Sequence, residues 1–247
     1  MGQAIGLGLG VPFGAGAGSY LQKLLSVQPA KLIAYWPLNE TRGTTADNAE
    51  GTAARDGDYT GVTLADAEGP DGQPVPLFDG TNDYCDIYSD SFRDAFDGSE
   101  GTLALFAKVE NAGVLSDGTN RRAMNLLVDA NNSIFCGRQS GANQINFVYE
   151  AGGVSEVNVI TPGDTDWMHL AITWSAQADE VKFYYKGAQS GTTATGLGTW
   201  AGDLISSATL LGAATTVPGF VWQGWLAHAA VWTTPLTATE IAALATV

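Results

Sequence analysis

The 247-residue chain carries 26 acidic against 11 basic side chains, a net charge of −15, which sets it against nucleic acid and anionic membrane as partners. The length accommodates one large domain with a sizeable core, and no run of about 18 apolar residues free of breakers offers a membrane-spanning helix. The two cysteines, Cys85 and Cys136, are too few for a disulfide framework. They read as buried free thiols, with a single bridge between them as the alternative. The acidic excess reads as a solvated surface that resists aggregation, or as acidic loops that bind a cation.

Residues 1–30 form a first unit. Gly2, Gly6, Gly8, Gly10, Gly14, Gly16 and Gly18 are interleaved with Ile5, Leu7, Leu9, Val11 and Phe13, without a single charge. Alternation places the apolar side chains on one face of an extended segment. Such a segment cannot form a core of its own, and its simplest use is strand addition to, or wedging into, another protein; a disordered tail is the alternative. The stretch lacks the basic region of a secretory signal, and glycines interrupt its apolar run. Gly6 stands where a myristoylation motif wants Ser or Thr. Ser19 to Gln28 predicts a short helix capped by Ser19, with Leu21, Leu24 and Leu25 on one side and Pro29 as its stop.

From residue 31 to 247 the pattern is that of strands rich in Val, Ile, Thr and aromatics, bounded by Gly, Asn and Asp. They are expected at Leu32–Leu38, Leu77–Phe78, Tyr84–Tyr88, Thr102–Val109, Met124–Val128, Ser133–Cys136, Gln144–Glu150, Glu156–Ile160, Met168–Trp174, Glu180–Tyr185 and Gly224–Trp232. Asp129 to Asn132 and Glu150 to Gly153 predict hairpin turns, and Ser91 to Phe96 one helical turn. Thr237 with Glu240 makes a capping box before a short C-terminal helix. There is no internal repeat and no alternation with regular helices, which sets aside solenoids, propellers and parallel α/β folds.

Four blocks stand out in order: Tyr35-Trp36-Pro37-Leu38-Asn39-Glu40, Leu77-Phe78-Asp79-Gly80-Thr81-Asn82-Asp83-Tyr84, Trp167-Met168-His169-Leu170-Ala171-Ile172-Thr173-Trp174, and a closing block, Trp222 to Ile241. From about Lys31 to Val247 they resemble the laminin-G-like branch of the concanavalin A-like lectin/glucanase superfamily. The resemblance implies an all-β antiparallel β-sandwich of the jelly-roll kind, here with a short C-terminal helix and an extended Gly-rich N-terminal arm. The fold alone leaves function open.

The glucanases of that superfamily set carboxylates at alternating positions of one strand, as Glu-x-Asp-x-x-Glu, and retaining hydrolysis needs two carboxyls about 5 Å apart. Leu103–Val109 and Leu170–Trp174 carry apolar residues or Thr instead, so no enzyme is expected and no catalytic residue is assigned. His169 and His228 read as packed structural histidines. Many relatives bind calcium at one edge of the sandwich. The loop Asp47 to Gly57 resembles the family's metal loop, with Asp47 as the matching acid and Asp56 as a second oxygen donor. Where the family adds an Asp in the final strand this chain has Ala227 and His228, which removes an expected ligand; a loop held by its own hydrogen bonds is the alternative, and no cofactor is required. For carbohydrate, Trp200 in the Gly196 to Gly202 loop is the first candidate and Trp222 the second, with packing against the sandwich as the other use of Trp200. Trp36, Trp174 and Trp232 lie in strand patterns and read as core.

Single laminin-G-like domains behind short Gly-rich leaders resemble accessory proteins of phage particles. That resemblance implies a non-catalytic structural or adhesion protein at a virion surface: a capsid decoration, head fibre or tail accessory of a bacteriophage. It would dock on other virion subunits through residues 1–18, in several copies or as a homo-oligomer, with a cell-surface glycan as ligand. A secreted carbohydrate-binding module is the alternative, and a glycoside hydrolase stands behind both.

Overall fold

The computed structural model describes residues 19–139, 141 and 143–247; the arm residues Ile5, Leu7, Leu9, Val11 and Phe13 lie outside the described residues. The first element is α1 (Tyr20–Ser26), whose N-cap Ser19 accepts from the Gln22 N–H. Tyr20 and Leu24, four residues apart on one face, are its buried residues, whereas Leu21 is turned to solvent. Residues 19–30 pack onto the sandwich: Tyr20 O–H donates to the Leu244 carbonyl at 2.8 Å and the Trp232 indole N–H to the Val27 carbonyl at 3.0 Å.

The chain continues through β1 (Leu32–Trp36), β2 (Thr45–Ala46), a 3₁₀ turn (Ala53–Arg55), β3 (Gly57–Thr60), β4 (Thr63–Glu68), β5 (Pro74–Asp79), β6 (Tyr84–Asp86), α2 (Asp90–Ala95) and β7 (Glu100–Val109). Then come α3 (Ala112–Ser116), β8 (Met124–Asp129), β9 (Asn132–Arg138), β10 (Ile145–Ala151), β11 (Val154–Ile160), β12 (Met168–Ser175) and β13 (Glu180–Tyr185). Last are β14 (Ala188–Ala194), β15 (Thr209–Leu211), β16 (Gln223–Trp232) and α4 (Ala238–Leu244). Among the described residues they form two antiparallel sheets. The first runs β14-β13-β12-β7-β16-β5-β4, with β1 also paired to β16; the second runs β11-β10-β9-β8-β15-β6-β3-β2. The expected strands are all present with somewhat shifted ends, and the Thr237–Glu240 capping box forms at α4. Five strands were not legible. β4 and β14 are mostly exposed edges of the first sheet, β2 is a two-residue edge of the second, and β3 and β15 are too short to show a period.

The facing sides of the sheets make one core, in which Trp36, Leu105, Leu170, Ile172 and Trp174 meet Met124, Leu126, Ile134, Phe147 and Tyr149. The outer side of the first sheet is buried as well. Ala230, Ala104, Ala171 and Tyr184 lie side by side across β16, β7, β12 and β13, and α1 and α4 pack on them through Tyr20, Leu24, Ile241 and Leu244. Burial on both faces explains why Thr102–Val109 and Met168–Trp174 read as unbroken apolar runs rather than alternations. Cys85 and Cys136 are buried free thiols; burial pushes the Cys136 thiol up to about 12, away from reactivity.

His169 on β12 is 2 % exposed, its ring set edge-on to Phe106 at 5.0 Å. Neither ring nitrogen has a partner among the described residues, and burial lowers its pKa to about 3. The unfolded chain therefore binds the proton first as pH falls. The stability that the neutral ring allows is present above about pH 6.5 and is lost progressively towards about pH 3. Replacing His169→Leu should shrink the fall in unfolding free energy between about pH 7 and about pH 4. Urea titrations of both proteins measure this, and an equal fall in each would exclude His169 as a source.

Candidate functional site

Along one edge of β16, β5 pairs with Gln223 to Trp225 and β1 pairs with Ala229 to Trp232. Between them the edge is open at Leu226, Ala227 and His228, and a polar cluster is built there. Two local features open it. Pro37 follows β1 and has no N–H to continue a ladder, and the register of β16 against β7 slips between Ala227 and Ala230. His228 takes up the slip with φ of +53°, in the left-handed region that disfavours side chains. Its N–H is returned to the Pro37 carbonyl at 3.1 Å, and Leu38 is left-handed too.

The bulge aims the His228 ring out of the sheet, 4.3 Å from the Tyr20 ring. Nδ1 lies 2.8 Å from the Tyr35 hydroxyl and Nε2 lies 3.4 Å from Asp71 Oδ1. With Tyr35 O–H donating to Nδ1, the ring proton belongs on Nε2, facing the carboxylate. Asp71 comes from the β4–β5 turn, where Gly69 N–H bonds the Gln73 carbonyl at 2.7 Å and Gln73 N–H bonds Asp71 Oδ1 at 3.1 Å. Four separate elements thus supply Tyr20, Tyr35, Asp71 and His228. Above them is a cleft of about 610 Å³ whose rim includes Asn39, Pro70 and Gln73.

Burial works upward on the Asp71 carboxyl, but the His228 ring beside it and the backbone N–H groups of its own turn outweigh this and hold it below its ordinary value. Burial first, then the Asp71 charge, pushes the Tyr35 hydroxyl well above its own. Tyr20 is raised by burial and by the same neighbours. Both phenols therefore stay protonated, as hydrogen-bonding groups and ring faces rather than nucleophiles. The cleft holds one carboxylate, where glycoside hydrolysis uses two. A second cleft of about 600 Å³ lies on the outer side of the first sheet, where Glu100, Ser175 and Glu180 share a row. Both acids are engaged, Glu180 with Lys182 Nζ at 2.5 Å and Glu100 with Ser175 Oγ at 3.3 Å.

The residues expected from sequence lie elsewhere. Asp47 and Asp56 bracket a loop that is internally bonded. Asp56 Oδ1 accepts from the Asn48 N–H at 2.8 Å, Asn48 Oδ1 from the Tyr35 N–H at 2.8 Å, and Glu40 Oε1 from the Asp47 N–H at 2.9 Å. The Arg55 guanidinium already stands 3.8 Å from Glu50. Among the described residues no three His, Cys, Asp or Glu side chains converge for a metal, so a calcium ion here would have to take most of its six to eight oxygens from carbonyls and water. Trp222 is not a platform: it is fully buried in the core between the sheets, because its position just before β16 points inward. Trp200 is half-buried and packs on Phe96 at 5.8 Å and Tyr149 at 6.4 Å. Gly98 lies so close beneath it that a Cβ there would overlap the indole, which makes Trp200 a packing residue. Tyr35, Asp71 and His228 were not legible as a group. Only the Pro70-Asp71-Gly72 turn carried a local signal.

A family model described as the concanavalin A-like lectin/glucanases superfamily matches residues 79–242. No curated protein matches the chain in sequence. Among solved structures, domain 4 of AbnA, a GH43 extracellular arabinanase from Geobacillus stearothermophilus solved with arabinotriose, is similar with a TM-score of 0.60 and 17% identity, over 87% of this chain and 98% of that one. Trypanosoma rangeli sialidase in complex with sialic acid aligns with a TM-score of 0.66 and 12% identity, over 92% of this chain and 36% of the sialidase. The binding domain of paraclostridial mosquitocidal protein 1 aligns at 0.62 with 12% identity, over 87% of this chain and 52% of that one. The chain therefore spans nearly the whole arabinanase domain but only parts of the other two. At such identities the likeness is one of fold.

If the Tyr35–His228 bond holds the cleft, His228→Ala leaves a buried phenol without a partner and should cost about 2–4 kcal/mol. Tyr35→Phe should then add little in the His228→Ala background. His228→Gly should be less damaging than His228→Ala by about 1 kcal/mol, because glycine adopts the left-handed backbone freely. Denaturant unfolding of the four variants measures both effects, and additive losses would dissolve the pair.

Proposed function

The chain belongs to the concanavalin A-like lectin/glucanases superfamily, and on that premise we propose that it is a non-catalytic, glycan-binding adhesion module whose sugar site is the cleft over Tyr20, Asp71 and His228. The observation that carries this reading is that Tyr20, Tyr35, His228 and one ionised carboxylate from four elements line a single cleft, with Asn39 and Gln73 exposed at its rim. A few fixed polar groups on an apolar wall are what a small polar ligand needs for orientation. The domain of the arabinanase was solved with arabinotriose, the sialidase with sialic acid, and the mosquitocidal segment is a binding domain, which supports a sugar as that ligand. The lone carboxylate and the raised phenols support binding without hydrolysis. No cofactor enters, because the polar groups are oriented by one another.

The module works at the surface of a virus particle, as a bacteriophage capsid decoration, head fibre or tail accessory. Ile5, Leu7, Leu9, Val11 and Phe13 dock into neighbouring virion subunits while the acidic sandwich faces outward. The uncharged Gly/apolar arm beside a body of net charge −15 supports this division of labour, and many copies on one particle would turn weak sugar affinity into avidity. A secreted carbohydrate-binding module is the second reading, supported by the arabinanase domain that the chain covers over 98% of its length.

Asn39 and Gln73 lie exposed at the rim of the cleft, so Asn39→Ala with Gln73→Ala should weaken glycan binding about tenfold at an unchanged melting temperature. Calorimetry on a ligand found by glycan array reads this, and undiminished binding would remove the sugar from the cleft. Deleting residues 1–18 should leave a folded sandwich that still binds sugar but no longer joins a particle. Undiminished incorporation would take the docking role away from the arm, and a full chain that joins no particle would favour the secreted module.

A further inference from the structure

Three arginines stand together where β8 and β9 meet the segment before β16, and two of them are paired with a carboxylate. Arg121 Nη2 lies 2.7 Å from Asp117 Oδ2, and Arg138, fully buried, lies 3.6 Å from Asp117 Oδ1 and bonds the Leu115 carbonyl. Arg122 is different. No carboxylate comes within ion-pair distance of it among the described residues, and residues 1–18, 140 and 142 contain neither Asp nor Glu. Its Nη1 is buried without a hydrogen-bond partner.

What Arg122 has instead is an aromatic slot. Its guanidinium carbon lies 3.6 Å from the centre of the Phe135 ring and 5.3 Å from that of Phe220. Ile134 and Cys136 point into the core, so Phe135 between them faces outward and the slot opens on the outer side of the second sheet, away from the Tyr20–His228 cleft. Phe220 is tied to the arginine through the backbone, its carbonyl accepting the Arg122 N–H at 2.7 Å. It is held at φ of +56° with its ring 48 % exposed, beside Val217 at 84 %. A strained residue thus displays an apolar rim next to an unpaired charge.

A cation taken out of water without a counter-charge is costly, and stacking on two rings offsets only part of that. Burial pulls the Arg122 pKa down to about 10, which leaves the group charged at neutral pH. A flat guanidinium matches a carboxylate in two-point contact, and with Nη1 buried the edge left to a ligand is that of Nε and Nη2. The apolar rim suits a ligand whose remaining body is uncharged, and the acidic surface disfavours a more highly charged anion. We propose that Arg122, Phe135 and Phe220 form a second ligand site, for a carboxylate carried on a carbohydrate ring of the uronic-acid kind. The site stands independently of the cleft on the first sheet.

The test is a titration of the full chain with glucuronate, glucose and inorganic phosphate, read by NMR on the arginine Nε–Hε resonances. Glucuronate should shift one arginine resonance saturably, and glucose should not. Arg122→Gln should abolish that resonance and weaken glucuronate binding about tenfold or more. Phe220→Ala, at an exposed position, should weaken it with the fold intact, so the outcome does not depend on Arg122→Gln folding. Asn39→Ala with Gln73→Ala should leave it unchanged, which separates this site from the cleft. No saturable arginine shift with glucuronate, an equal shift with glucose, tighter binding of phosphate, or full binding in Phe220→Ala would each overturn the assignment.

Discussion

The first sheet depends on one antiparallel pairing between segments that are almost the whole folded chain apart. Leu32 faces Trp232, and Tyr35 and Trp36 face Ala230 and Ala229. β16 is the strand on which the rest is assembled, since it is also the neighbour of β7 along its length and of β5 at its start. Contacts of such separation form only after a large loss of chain entropy, so they are slow to make and cooperative to break. Trp232 shows how the junction is secured: its ring lies in the outer cluster under the helices, and its indole N–H ends on the Val27 carbonyl just after α1.

That junction also explains why two short helices can be stable. α1 and α4 have seven residues each, too few to hold in water by themselves. They lie on a row of alanines that lets backbone approach backbone closely, and they are tied to each other by Tyr20 O–H on the Leu244 carbonyl and Lys23 Nζ on the Thr246 carbonyl. The helices turn the outer face of the first sheet into a second apolar layer, and between β5 and β1 the buried Tyr35 and His228 lie beneath a cleft that the half-buried Asp71 lines. At that gap a buried histidine is held in a backbone conformation that its own side chain disfavours.

The two faces of the sandwich handle charge in opposite ways. On the first sheet, a carboxylate from a turn is set against a histidine from a strand. On the second, basic groups are packed in, with Asp117 shared by two arginines and the third left to aromatic rings. In a chain with so few cations, three of them gathered at one corner leave the remaining surface strongly acidic. That surface favours solubility and an outward-facing role, and it narrows the anions that can approach to weakly charged ones.

Sequence by itself determined the strands whose residues alternate or run apolar, the caps at Ser19 and Thr237, the hairpin turns, the jelly-roll family and the burial of Trp36, Trp174 and Trp232. Each of these is set by neighbours within a few residues, where periodicity and local hydrogen bonds act. It could not show that Trp222 is the one buried between the sheets while Trp225, three residues on and on the opposite face, bonds Asp66, because the face of β16 that turns to the core is settled by the partners of the strand. Nor could it show that Asp56 accepts from the Asn48 N–H and that Glu50 stands by Arg55. Tyr35, Asp71 and His228 are separated by dozens of residues and lie in segments that each read as ordinary strand or turn. Only tertiary pairing decided their meeting, because a site assembled from four elements has no local signature until β1 and β5 have both found the edge of β16.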